Sequence, residues 1–210
     1  MIRNALIWGA DGGIGFAIAQ RLVNQDWKVI MAGRHTERLE GLNGFVVEME
    51  AGDPFSFQKA MAAISQEVDE IHLWVYAVGD ITSSPVNQMA FQDWQRILDA
   101  NLTGAFLATH YSWPILAKDA HLFYLGALSE RLRQPGLGAY VAAKAGLEAF
   151  AEVVRREARR RVAVLRPAAV DTPLWQKAPF KLPPRHLNPA DVVACILQAY
   201  EEGTEGNLDL

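Results

Sequence analysis

The chain has 210 residues, half of them apolar, enough to bury a sizeable core. Its formal net charge of −4 and pI near 5.7 give no global pull toward nucleic acid or an anionic membrane, so neither is an expected partner. The single cysteine, Cys195, excludes an internal disulfide, and the five histidines lack metal-ligand spacing, so no metal site is expected.

Short apolar runs alternate with amphipathic segments of helical length. Residues 5–8 read as a strand, 14–25 as a helix, 28–32 as a strand and 37–42 as a short helix. Strands over 45–50 and 71–77 alternate with helices over 55–67 and 91–117. A strand over 122–125, a helix over 140–160, a strand over 162–166 and a helix over 189–202 follow, with 208–210 as an edge strand. Such alternation predicts a doubly wound α/β fold: a mostly parallel sheet with helices on both faces and a crevice beyond the carboxyl ends of its strands. No linker or repeat divides the chain, so residues 1–210 are expected to form one domain.

Residues 172–189 hold five of the ten prolines and have the length of a lid or substrate loop. Arg155, Arg156, Arg159, Arg160 and Arg161 read as a solvated helix end, where cations complement the macrodipole. No apolar run approaches the roughly 20 residues of a membrane span. The first strand and its glycine turn come too early for a secretory leader, so a cytoplasmic location is expected.

Two motifs carry chemistry. Gly9-Ala10-Asp11-Gly12-Gly13-Ile14-Gly15 joins a strand to an apolar helix, where glycines let the backbone approach a pyrophosphate at the helix N-terminus. Tyr140 and Lys144 stand one helical turn apart and share a face. An ammonium beside a phenol lowers its ordinary pKa of about 10 by about 1–3 units, giving an acid/base suited to carbonyl and alcohol chemistry. At the end of the second strand, Arg34 presents a guanidinium suited to phosphate where an acidic residue would pair with a ribose 2′-hydroxyl, so NADP(H) is expected over NAD(H). Arg34 also reads as a surface arginine.

In this order these motifs, with Asn101-Leu102-Thr103-Gly104 and Arg166-Pro167 followed by Val170-Asp171-Thr172-Pro173, resemble the short-chain dehydrogenase/reductase family over nearly the whole chain. The resemblance implies a single-domain Rossmann fold with Tyr140 as acid/base and Asn101 anchoring a water-mediated proton relay. Lys144 would also hold the nicotinamide ribose. Cofactor contacts are implied along the glycine turn at Gly9, Asp11, Gly13, Ile14 and Gly15. Others are implied at Arg34, Glu50, Ala51, Ala77 and Gly79, and at Pro167, Val170 and Thr172. Glu50 stands where the family has an adenine-contacting aspartate, and its side chain either does that work or faces water. A homodimer or homotetramer through the helices over 91–117 and 140–160 is implied too.

Four departures from the family pattern matter. Ala127 falls on the position of the catalytic serine, a register Pro135 supports, and Ser129 is the nearby hydroxyl expected to replace it. Trp8 replaces a threonine, and Tyr76-Ala77-Val78-Gly79 replaces Asn-Asn-Ala-Gly; a Trp8–Tyr76 ring pair beneath the cofactor is expected. Ala168 replaces a glycine. Leu174, Trp175, Phe180 and Leu182 in the lid point either to an apolar or ring-bearing substrate or to packing of the lid on its own domain or on a subunit partner. The expected activity is an NADP(H)-dependent interconversion of a carbonyl and a secondary alcohol. The rival is a cofactor-binding sensor or assembly protein without turnover, which Ala127 favours and the retained Asn101, Tyr140 and Lys144 oppose.

Overall fold

A computed structural model of the chain describes residues 3–178 and 180–210; Pro179, within the expected lid, and the first two residues lie outside them. The strands are β1 (Asn4–Trp8), β2 (Lys28–Gly33), β3 (Phe45–Glu48), β4 (Ile71–Tyr76), β5 (Leu116–Leu125), β6 (Arg161–Arg166) and β7 (Gly206–Asp209). They form one parallel sheet in the order β3-β2-β1-β4-β5-β6-β7, so the fold is the expected doubly wound one. The strand order reverses between β1 and β4, the place where such sheets open a ligand crevice.

Strand side chains alternate between the two faces, and each face buries against its own helices. Leu6, Trp8, Trp74, Tyr76, Leu122 and Tyr124 join α2 (Pro54–Glu67), α4 (Gly104–Ser112) and α5 (Gly138–Ala158) in one core. Ile7, Met31, Val75, Phe123 and Leu165 join α1 (Gly13–Val23) and α6 (Pro189–Glu202) in the other. Local signals set the helix ends. Asp53 accepts from the Phe55 N–H at 3.0 Å with Pro54 in the first turn of α2. α6 opens on an Asn188/Asp191 capping box and stops at Gly203, left-handed at φ 70°.

The single helix expected over 91–117 is broken. α3 (Phe91–Leu98) passes into a π-helical turn over Asp99–Thr103 and then α4, and β5 begins at Leu116, well before residue 122. Pro114, in a 3-10 turn over Trp113–Ile115, removes a helical donor. A register shift lets Leu116 pair with Ile71 before His121 pairs with Leu73. Another short helix, expected over 37–42, is a 3-10 turn over Thr36–Leu39.

Candidate active site

The glycine turn is shaped by close backbone approach. Gly9 takes φ 83°, and a Cβ on it would stand 2.7 Å from the Val78 nitrogen beyond β4. A Cβ on Gly15 would run into the Gly9 carbonyl, so α1 packs directly on the turn. Gly12, the N-cap of α1, offers no side-chain acceptor, leaving first-turn N–H groups free for an anion.

A cavity of about 1110 Å³ opens above this turn. Gly9, Asp11, Gly13 and Ile14 line it from the turn; Arg34, Glu50 and Ala51 line it beyond β2 and β3. Ala77 and Gly79 line it beyond β4, and Pro167, Val170 and Thr172 beyond β6, with Tyr140 and Lys144 on α5. Of the residues expected to take part in catalysis or to touch the cofactor, Gly15, Asn101 and Ser129 are not among its lining; Gly15 acts through packing.

Tyr140 and Lys144 are both buried. The Lys144 Nζ donates to the Leu125 carbonyl at 2.6 Å and stands 5.8 Å from the centre of the Tyr140 ring. Burial lowers Lys144 to about 8, opposed by the Glu148 charge. The expected depression of Tyr140 is reversed: burial pushes its phenol up to about 12. Loss of water around the phenolate outweighs an ammonium that is aimed at a main-chain carbonyl.

Asn101 sits in the π-helical turn, where its Nδ2 donates to Ile97 O at 2.8 Å and to Asp80 O at 2.7 Å. π turns interrupt helical bonding, and here the Asn101 side chain takes up a main-chain acceptor. Its Oδ1 is buried without a partner and stands 3.3 Å from where a Gly79 Cβ would be, with the Lys144 Nζ 3.9 Å from the same point. An orphaned buried acceptor beside the cavity fits a site completed by a further donor.

Two expectations are corrected. Ser129 is buried and turned away from the cavity, its Oγ directed to Glu148 at 3.5 Å, because it opens a 3-10 turn packed on α5. Trp8 and Tyr76 are paired in register, but their rings do not form the expected pair. The Trp8 ring meets Phe57 at 5.0 Å, while Tyr76 stacks toward Trp74 at 6.3 Å and donates its hydroxyl to Ala100 O at 2.8 Å. Tyr76 thereby props the π turn that carries Asn101.

Between β2 and the glycine turn, the Asp11 carboxylate fills the space over Gly33 and accepts the His35 N–H at 3.0 Å. Arg34 faces Glu50 at 3.7 Å, both exposed. Sequence reasoning missed Arg38, which also lines this end; its place four residues after Arg34 was the available signal. It also missed Asp80, which binds Arg96 and accepts from Lys177, within the expected lid, at 2.8 Å. These ends of the chain are too far apart in sequence for any local pattern to join them.

The segment expected to form a lid is pinned at its base by a Val170–Leu187 bridge and turns through a 3-10 helix over Pro173–Lys177. Its Leu174 and Phe180 pack against a cluster that includes Ile81, Leu137 and Tyr140, and Trp175 meets Phe180 at 5.4 Å. The arginine run is less free than expected. Arg155 and Arg156 pair with Glu152, and Arg160 caps the Leu116 and Ala117 carbonyls.

A doubly wound parallel sheet with a glycine turn below a Tyr/Lys cavity defines a dinucleotide-binding type of α/β protein. Residues 3–181 match the family model described as short chain dehydrogenase, and the chain belongs to that family. A serine 3-dehydrogenase of Agrobacterium fabrum is 35% identical over 139 residues, 58% of this chain and 56% of that protein. A second, from Rhizobium radiobacter, is 31% identical over 160 residues, covering 72% and 64%. The chain thus spans less than two thirds of the length of either relative. An alcohol dehydrogenase from the archaeon Thermococcus sibiricus, solved with 5-hydroxy-NADP, shares the fold with a TM-score of 0.89 at 21% identity. That match covers 100% of this chain and 96% of the other. Among the described residues no helix is long and apolar enough to cross a membrane, and no cluster of three or more metal-ligating side chains occurs.

Proposed function

We propose that the protein is an NADP(H)-dependent oxidoreductase interconverting a carbonyl and a secondary alcohol, folded as one domain with residues 172–189 as its lid. The observation that carries this reading is the placing of Tyr140 and Lys144 in the cavity that the glycine turn opens. A bound nicotinamide supplies or accepts the hydride at the substrate carbon. The Tyr140 hydroxyl delivers a proton to the substrate oxygen during reduction and takes it back during oxidation. Burial keeps that hydroxyl protonated at neutral pH, so the resting site is ready for reduction. Lys144 supplies the neighbouring positive charge and holds a ribose hydroxyl, with Asn101 ordering a water between Lys144 and solvent.

Arg34 and Arg38 support a 2′-phosphate at the far end of the cavity. The Asp11 carboxylate opposes one and gives NAD(H) its specific support. Leu128, Leu132, Leu174, Trp175 and Phe180 along the cavity favour an apolar or ring-bearing substrate. Exposed Phe106 on α4 and Val153 on α5 favour pairing of those helices with a second copy, readable by sedimentation. The lone thiol of Cys195 suits a cytoplasmic setting.

The test is titration of NADPH and NADH, followed by NADPH oxidation against ketones, aldehydes and quinones. Tyr140→Phe is expected to keep NADPH affinity and lose turnover by about 10²–10⁴-fold. Arg34→Ala is expected to weaken NADPH about tenfold and leave NADH unchanged. Tight binding with no turnover on the whole panel would favour a cofactor sensor, the reading that Ala127 supports.

A further inference from the structure

Beside the cavity, and outside the chemistry assigned above, lies a half-hidden ionic cluster. α5 carries Tyr140, Lys144 and Glu148 at successive helical-turn intervals, so the Glu148 carboxylate follows the Lys144 ammonium on one face. Glu148 is held from two other elements. The Arg166 Nη1 at the end of β6 reaches its Oε2 at 3.3 Å, and the Ser129 hydroxyl reaches its Oε1 at 3.5 Å. Arg166 is anchored in turn by a fork to Asp209 of β7, with bonds of 2.7 and 2.9 Å, and by Glu130 at 3.7 Å. The side chains of Arg166 and Glu148 are 16% and 17% exposed, which marks a built contact and not a loose surface pair.

Several elements set the charge around Lys144. From β5 the Leu125 carbonyl accepts its proton, and from the π turn Asn101 Oδ1 approaches the same region over Gly79. Tyr140, on the preceding turn of α5, is neutral up to about 12. From beyond Glu148, Arg166 brings one positive charge, but it is shared among the carboxylates of Glu148, Glu130 and Asp209. The cluster therefore carries net negative charge, and its Glu148 carboxylate, one helical turn from Lys144 and not ion-paired to it, favours the charged amine through space. A buried ammonium that has lost its hydration needs such a charge nearby.

We propose that Glu148 is a positioning residue for Lys144: its carboxylate, fixed by Arg166 and Ser129 one helical turn away, acts through space to hold the Lys144 amine charged beside Tyr140. This rests on the reading of Tyr140 and Lys144 as the proton-transfer pair. It also gives the Ser129 hydroxyl a role that does not involve substrate.

The test reads Lys144 directly, by following its Nζ resonance through a pH titration of ¹⁵N-lysine-labelled protein. In Glu148→Gln the Lys144 midpoint is expected to fall by about one pH unit. The alkaline limb of turnover moves down with it. Glu148→Asp, still charged but one methylene shorter, is expected to lie between Glu148→Gln and wild type, and it keeps the test open if the amide variant does not fold. An unchanged midpoint in a folded variant overturns the proposal, since a purely structural glutamate would lower stability without moving Lys144. If the midpoint moves while the protein turns over no carbonyl, the role of Glu148 stands and the oxidoreductase reading is what fails.

Discussion

Ala127 presents a methyl group to the cavity at the end of β5, and Ser129, the nearest alternative hydroxyl in that loop, is committed to Glu148. On the proposed reading, a carbonyl oxygen that gains negative charge during hydride transfer would depend on the Tyr140 hydroxyl, without the second donor that the family pattern has at this position. Restoring that donor as Ala127→Ser is expected to raise kcat about 10–100-fold with NADPH affinity unchanged, because a donor matters most as charge develops. The added hydroxyl lies in a buried spot and costs about 1 kcal/mol of stability if the free protein gives it no partner. Steady-state kinetics beside urea unfolding separate the two effects. An unchanged kcat in a stable variant would mean that the developing oxyanion is held elsewhere.

At the scale of elements, the glycine turn and the helix it feeds are one packed unit. Gly15→Ala would drive a methyl into the Gly9 carbonyl, which is main chain and has no rotamer to move. The expected loss is about 3 kcal/mol or more, with NADPH binding lost in whatever remains folded; unfolding curves and cofactor titration check it, and near-wild-type values for both would refute it. The lid proposed over residues 172–189 answers to a weaker force. Lys177 is half exposed where it meets Asp80, so Lys177→Met is expected to cost under about 1 kcal/mol. Yet it removes the ion pair that ties the lid to the residue after Gly79, so cleavage within residues 172–189 by chymotrypsin and the NADPH off-rate should each rise a few-fold. An unchanged off-rate would leave the ion pair without a role in closure.

The same elements explain what the sequence revealed. The turn was legible because its signal is local: glycine spacing, a strand before it and an apolar helix after it. The Tyr140/Lys144 pair was legible for the same reason. By contrast, the stretch over 91–117 carries apolar residues at helical spacing along most of its length, and periodicity does not register a π turn at Asn101 or a strand that starts at Leu116. Pro114 was the one local warning. The direction of the Ser129 hydroxyl and the Asp80–Arg96–Lys177 cluster depend on how separate elements pack, and neighbouring residues do not encode that.

For the molecule as a whole, buried titratable groups make stability rise with pH through two separate intervals and fall again above pH 10. His121, fully buried and stacked 4.1 Å from Phe123, is lowered from 6.5 to about 4, first by burial and then by the charge of Arg161. Between those values the unfolded chain takes up a proton that the native state refuses, so stability falls as pH falls from 6.5 toward 4, by roughly 2–3 kcal/mol. Lys144 acts at higher pH. Its native amine releases a proton at about 8 while the unfolded one keeps it to 10.5, so stability climbs with pH across that interval. Tyr140 reverses the trend above 10, because the unfolded phenol ionises there and the buried one holds its proton to about 12. Urea midpoints measured from pH 4 to about 11.5 should trace this curve. His121→Phe keeps an aromatic ring against Phe123 and should remove its share of the acid slope while leaving the alkaline rise. If the variant retains the full slope between pH 6.5 and 4, the acid sensitivity belongs to carboxylates at the surface, and His121 is buried without consequence for stability.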